Sequence, residues 1–338
     1  MGVQLPDADW TRRRFLALLG MGAAGVLTAC SPSPLITAGG ERSASATPTL
    51  DDKRRAAAVG AATLADLASG CAGIPGADPT FAAWCTALAD THTAHLTVLA
   101  QADPLGGVQA DHSPIDDVAS RGVGVPGSPE EALTVLAAQE TALADLLAPI
   151  AVGSATSSAW ALLWLSQALA TRVYAAALAG GSIDALGPAP VEGTAVPAEV
   201  DAGTPADARQ VLLSHQRALV FGLQTLLGRL GYGDARVDAV TQRLGEAMRE
   251  RDDTSAAITA TGATASAPPP EFTLPGDATD SAQIERIWGE LELAVMAGWA
   301  RLAAADADGR ADALDQMVTQ AGRARSHGVA LPHWPGWV

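Results

Sequence analysis

The sequence predicts an all-α fold, arranged as two tandem four-helix bundles, each with one long crossover. Three observations carry this. About a fifth of the 338 residues are Ala, the best helix former and a poor strand former. Apolar residues recur at helical spacing along eight segments, and no run alternates as a half-buried strand would. Breaks rich in Gly and Pro separate the segments in the same order twice. At 48% hydrophobic and 17% charged, the chain is too apolar for a disordered acidic protein. Its net charge of −16 argues against a nucleic-acid backbone as partner.

The first 29 residues read as an address rather than as fold. Thr11-Arg12-Arg13-Arg14-Phe15-Leu16 has the form of a twin-arginine export signal, with Arg12 and Arg13 as its pair. The apolar run Phe15 to Leu27 is too short to span a bilayer. It ends in Leu27-Thr28-Ala29-Cys30, which resembles a bacterial lipobox in which the Cys is lipidated and becomes the new N-terminus. A diacyl anchor at Cys30 gives stable membrane attachment, here at the outer face of the cytoplasmic membrane. Residues 30–49, rich in Ser, Pro, Gly, Ala and Thr, form a flexible tether. Outside the cell Cys71 and Cys85 then make an even count in an oxidising compartment, and a disulfide between them is expected.

The first bundle is expected over residues 50–183. Its first helix covers 50–70, with Ala57, Leu64, Leu67 and Cys71 in register. The second, 78–101, places Phe81, Trp84, Cys85, Leu88, His92, His95, Leu96 and Leu99 on one face. A break over 102–127 follows. Ser128-Pro129-Glu130-Glu131 then supplies a cap, Pro at the first helical position and acids in the first turn, opening a helix to Leu147. The fourth, 157–179, is apolar almost all round and reads as a core helix rather than a membrane span, because Arg172 and several Ser and Gln interrupt it. Gly180-Gly181 stops it. A linker over 184–204 leads to the second bundle, 205–338, with helices over 205–230, 234–259, 281–305 and 308–326 and a Pro-rich crossover at 262–280. One long crossover per bundle is the ferritin-like topology.

The second half carries a resemblance. Gln216-Arg217-Ala218-Leu219-Val220-Phe221-Gly222 with the LQTLLGRL that follows, Pro270-Glu271-Phe272-Thr273-Leu274-Pro275, LELAVMAGWARL at 291–302 and HWPGW at 333–337 resemble an actinobacterial ferritin-like lipoprotein domain family, domain of unknown function 4439. The resemblance implies a ferritin-like four-helix bundle in the cell envelope and no established activity. The family's first helix tends to carry Glu-His where this chain has Gln216-Arg217. A ferritin-type di-iron site needs Glu from two helices and Glu-x-x-His from two others, and no Glu-x-x-His occurs in this chain. In this half Glu292, beside Trp288, Val295 and Trp299, is left as the inward acid.

The first half offers His92 and His95 on the apolar face of the second helix and Glu140 on that of the third. Two neutral imidazoles and a carboxylate could hold one Zn²⁺ or other transition-metal ion. The other reading is a polar core cluster, the histidines bonding each other, Glu140, Gln167 or Thr171. His215 reads as a core or interhelix residue, Asp111-His112 as a solvated pair in the crossover. Trp334 and Trp337 read either as packing the tail or as a partner surface. No nucleophile elbow and no phosphate loop is present; the single Lys is Lys53. No catalytic residue and no organic cofactor is expected. Two functions follow: a non-catalytic, lipid-anchored envelope protein that binds or scaffolds an envelope partner, or a metal- or small-ligand-binding ferritin-like protein, redox-active in one version, that uses the first half.

Overall fold

The structure is a computed structural model. It describes residues 50–337, except 110, 154, 156, 194, 270 and 279. Arg12, Arg13, Cys30 and the tether to residue 49 lie outside the described residues.

Among the described residues the fold is all-α. Eight helices follow in order: α1 (Asp52–Ala72), α2 (Pro79–Ala100), α3 (Pro129–Val152), α4 (Ser158–Ala179), α5 (Pro205–Arg229), α6 (Val237–Ala260), α7 (Ser281–Ala305) and α8 (Arg310–Ser326). Their starts follow from capping chemistry. The Asp51, Ser128, Ser157 and Asp280 side chains each accept a backbone N–H of the first turn, and Thr204 with Asp207 closes a reciprocal capping box. Pro79, Pro129 and Pro205 occupy first-turn positions, where no N–H is missed. α3 runs past Pro149 to Val152, further than the expected end at Leu147. Its last turn packs Ala151 into the core, which holds the helix together beyond the proline.

α1 packs against α2, α3 against α4, and the two pairs meet through α1 and α3. Small residues allow this meeting: a Cβ added at Gly60 would lie 2.6 Å from a Leu143 methyl. In the second half α5 packs against α6 and α7, and α7 against α8. α4 also lies against α7 and α8, so the halves touch along their length. By length and composition both α3 and α4 are apolar enough to cross a membrane, yet the apolar stretch of α4 is 78% buried inside the protein. Its Leu163, Leu165, Leu169 and Tyr174 are fully enclosed, each such burial contributing about 1.5–3 kcal/mol.

The cores do not divide at the linker. The first is built from α1–α4 and continues into Met296 and Ala300 of α7, Leu314 and Met317 of α8, and Leu331, Trp334 and Trp337 of the tail. The second, smaller core joins α5, α6 and the outer face of α7, around Leu219, Leu223, Val240, Ile287 and Val295.

Candidate functional site

Residues 84, 88, 92 and 95 of α2 recur at helical spacing, so Trp84, Leu88, His92 and His95 share one buried face. On α3 the same logic turns Leu136, Glu140 and Leu143 inward. His92 and Glu140 meet with both side chains completely buried: the imidazole Nε2–H donates to Glu140 Oε1 at 2.7 Å. His95 does not join them. Its Nε2–H donates to the backbone carbonyl of His333 at 2.7 Å, and its ring lies 4.6 Å from that of Trp334. Burial, with a contribution from neighbouring His92, pushes the His95 imidazole down to about 3. It is therefore neutral, with its proton on Nε2, since a carbonyl only accepts.

The expected three-residue metal set is thus corrected. The His95 ring lies edge-on to that of His92, with centroids 5.6 Å apart, but its Nε2–H is spent on the C-terminal tail while His92 and Glu140 bond each other. Among the described residues no group of three His, Cys, Asp or Glu is placed to hold a metal ion. Of the polar partners expected for the histidines, Glu140 is taken by His92, while Thr171 is turned to its own helix. Thr171 Oγ1 donates back to the Gln167 and Ala168 carbonyls of its own helix. His92 Nδ1, Glu140 Oε2, Gln167 Nε2, Ser166 Oγ, Tyr174 OH and Trp84 Nε1 are buried without a protein hydrogen-bond partner. Burial raises the Tyr174 hydroxyl above its ordinary value and the Glu140 charge adds to this, while Arg325, whose guanidinium lies 5.7 Å from the ring centre, opposes it.

The tail that reaches His95 is itself held. Val191 N–H donates to the Leu331 carbonyl and His333 N–H to the Val191 carbonyl, both at 3.0 Å, and Gly336 turns with φ 95°. A Cβ at Gly336 would lie 2.8 Å from that of Ala300, so only glycine suits the turn. Trp334 and Trp337 are both buried against the first core.

The second half has its own enclosed acid. Glu292 of α7 is fully buried and accepts Arg243 Nε at 2.8 Å and Arg243 NH2 at 3.0 Å, a two-pronged pair, with Trp288 Nε1–H donating at 3.0 Å. Arg243 also donates to both Glu250 oxygens at 3.0 and 3.1 Å, and Arg323 reaches Glu246 and Glu250 from α8. Burial alone would lower the Arg243 guanidinium; its bonds to Glu292 and Glu250 outweigh that and hold it above its ordinary value. Sequence reasoning did not single out Arg243. The signal was its place on the inward line of α6 with Val240 and Ala247, opposite the one inward acid.

These donors do not suit a ferritin-type di-iron centre. Glu292 is neutralised by a guanidinium, Gln216 is a buried amide with neither polar atom partnered, and Arg217 leaves the core to donate to the Ser266 carbonyl at 2.6 Å. His215 is partly buried, and burial lowers its imidazole. Asp111 and His112 are exposed in the crossover, as expected, and also bonded locally: His112 bonds Gln101 Oε1 at 2.7 Å, and Asp111 accepts the Ser113 N–H.

The disulfide expected between Cys71 and Cys85 is not present; both are free, buried thiols of the first core. Burial pushes Cys71 up to about 11 and Cys85 up to about 12, the latter helped by Cys71. Thiols so far from ionisation supply almost none of the thiolate that disulfide exchange requires.

Residues 208–338 match the family described as Domain of unknown function (DUF4439). No curated protein and no solved structure matches the chain. The DUF4439 stretch takes in α5 almost from its start, then α6, α7, α8 and the tail. Arg243, Glu292 and Gln216 all lie inside it, whereas His92, His95 and Glu140 precede it. The two regions are joined by the tail of the DUF4439 stretch, through the His333 carbonyl on His95.

Proposed function

We propose that the chain is an exported, lipid-anchored envelope protein whose two degenerate ferritin-like bundles have a non-catalytic binding or scaffolding role. The observation that carries this reading is Arg243 seated on Glu292. A carboxylate that would bridge metal ions in an oxidase instead holds a cation of the chain itself. Dislodging that cation would leave a buried charge unpaired, which typically costs about 3–5 kcal/mol. Glu140 is likewise engaged by His92, and His95 by a carbonyl.

The export signal at Arg12 and Arg13, the lipobox ending at Cys30 and the tether support the anchored location. The twin-arginine route carries folded chains, which suits two buried thiols that never meet an oxidant during folding. The acidity belongs to the exported body: without residues 1–29 the formal charge, 18 basic against 35 acidic residues, is −17.

Air oxidation of Fe(II) with and without the full-length chain tests the non-catalytic part. The expected rate with the chain equals the rate without it. A faster rate that Glu140→Gln or Glu292→Gln removes would overturn the reading. A second reading, a small polar ligand held near His92 and Glu140, is favoured by the partnerless His92 Nδ1 and Glu140 Oε2 and by the buried, partnerless Tyr174 hydroxyl that feels the Glu140 charge. It predicts a ligand that raises the melting temperature of the chain but not of His92→Ala.

A further inference from the structure

A cleft of about 440 Å³ opens between α5, α6 and the crossover that joins α6 to α7. Its α5 wall runs from Leu213 past Arg217, Val220 and Phe221 along one helix face, extending some way towards the end of the helix. Phe272 of the crossover leans on Phe221 with ring centroids 5.5 Å apart, and Phe221 is left 37% exposed. The volume lies within the range of small-molecule sites.

Charge decides which ligand this wall suits. Arg217 spends one N–H on the Ser266 carbonyl at 2.6 Å, and no carboxylate among the described residues pairs with it. Arg251 enters from α6 but is paired at 2.7 Å with Asp252, which lines the same cleft with its side chain 66% exposed, so Arg217 carries the wall's unpaired positive charge. Guanidinium presents its donors as a planar fork that matches a carboxylate. With Leu213 and Val220 buried behind them, the partly exposed rings of Phe221 and Phe272 give the apolar surface that an alkyl chain would cover.

We propose that this cleft binds a fatty-acid-type carboxylate, its head on Arg217 with Arg251 close by, and its chain against Phe221 and Phe272. The site deepens the binding role proposed above by naming its ligand class. Its chemistry does not need the membrane anchor, so fractionation of the cell and ligand titration fail independently.

The test is calorimetric titration of the full-length chain carrying Cys30→Ala, so that no attached acyl chain competes. The probes are laurate, dodecanol and dodecyltrimethylammonium, which share a chain and differ in head charge. The expected result is one saturable laurate site per chain, at least tenfold tighter than for dodecanol and without binding of the cation. Arg217→Gln weakens laurate tenfold or more with dodecanol unchanged, Arg217→Lys restores part of it, and Phe221→Ala weakens both. Thermal melting confirms that each variant is folded at the titration temperature, since Phe221 also packs on Phe272 and Arg217 also holds the Ser266 carbonyl. Absence of saturable laurate binding, equal affinity for the three head groups, or laurate affinity unmoved by Arg217→Gln in a folded variant each overturns the proposal.

Discussion

Lowering the pH from about 7.5 to about 5 removes about 2 kcal/mol of stability through His95 alone. The sign follows from where its proton goes. In the unfolded chain this imidazole titrates at its ordinary 6.5; in the folded chain burial and His92 hold it down at about 3. Its folded value is depressed, so folding is fully supported above 6.5 and loses support as the pH falls below it, until the folded group also protonates near 3. At pH 5 the unfolded imidazole lies one and a half units below its midpoint, and RT ln(1 + 10^1.5) is about 2 kcal/mol. The result barely depends on how far below 5 the folded group titrates, because at pH 5 that group is neutral either way. The assay is urea unfolding followed by circular dichroism at both pH values, for the parent and for His95→Gln. An amide retains a donor for the His333 carbonyl and carries no titrating proton. The carboxylates and the other histidines are common to both chains and cancel in the comparison. The parent loses about 2 kcal/mol more than the variant on acidification. Equal losses, within a few tenths, would refute the buried, tail-bonded His95.

Three further outcomes follow from the packing. Arg243→Met strands Glu292 and lowers stability by about 3–5 kcal/mol, whereas Arg243→Met with Glu292→Leu recovers most of it; denaturant midpoints of the two variants against the parent read this directly. In a Cys30→Ala background Cys71 and Cys85 react slowly with a maleimide in the native chain, and two thiols titrate at once in denaturant; no titrating thiol would mean that the pair is bridged. Gly289→Ala drives a Cβ to 2.4 Å from a Val329 methyl and 3.0 Å from the Ala324 carbonyl, and the carbonyl cannot rotate away, so thermal unfolding reports a loss of about 1–3 kcal/mol.

Much of the fold was legible because helix starts and buried faces are local properties. Ser128-Pro129-Glu130-Glu131 announces α3, and in the structure the Ser128 hydroxyl accepts the Glu131 N–H as a cap should. The all-round apolarity of residues 157–179 announces a core helix, and α4 is one. What escaped was long-range. The inward face of α2 left His95 either to a metal or to a polar core cluster, but its partner is a carbonyl 238 residues away that no helical periodicity encodes. Arg243 reads as an ordinary polar residue until Glu292, 49 residues on, is seen to need a cation. Arg310 belongs by sequence to the last helix, yet its guanidinium donates to the Gly153 carbonyl at the end of α3 at 2.5 Å, which ties one half to the other. The two Cys were paired by compartment logic, while the structure leaves them as free thiols buried in the first core.

The most direct test of the account is the intact mass, under native conditions, of the chain isolated from the membrane fraction of a host with twin-arginine export. The account gives a chain beginning at Cys30, carrying a diacylglycerol group and no bound iron or zinc even after incubation with either ion. A cytosolic chain that retains residues 1–29, or a chain that takes up two metal ions and keeps them through dialysis, would contradict it.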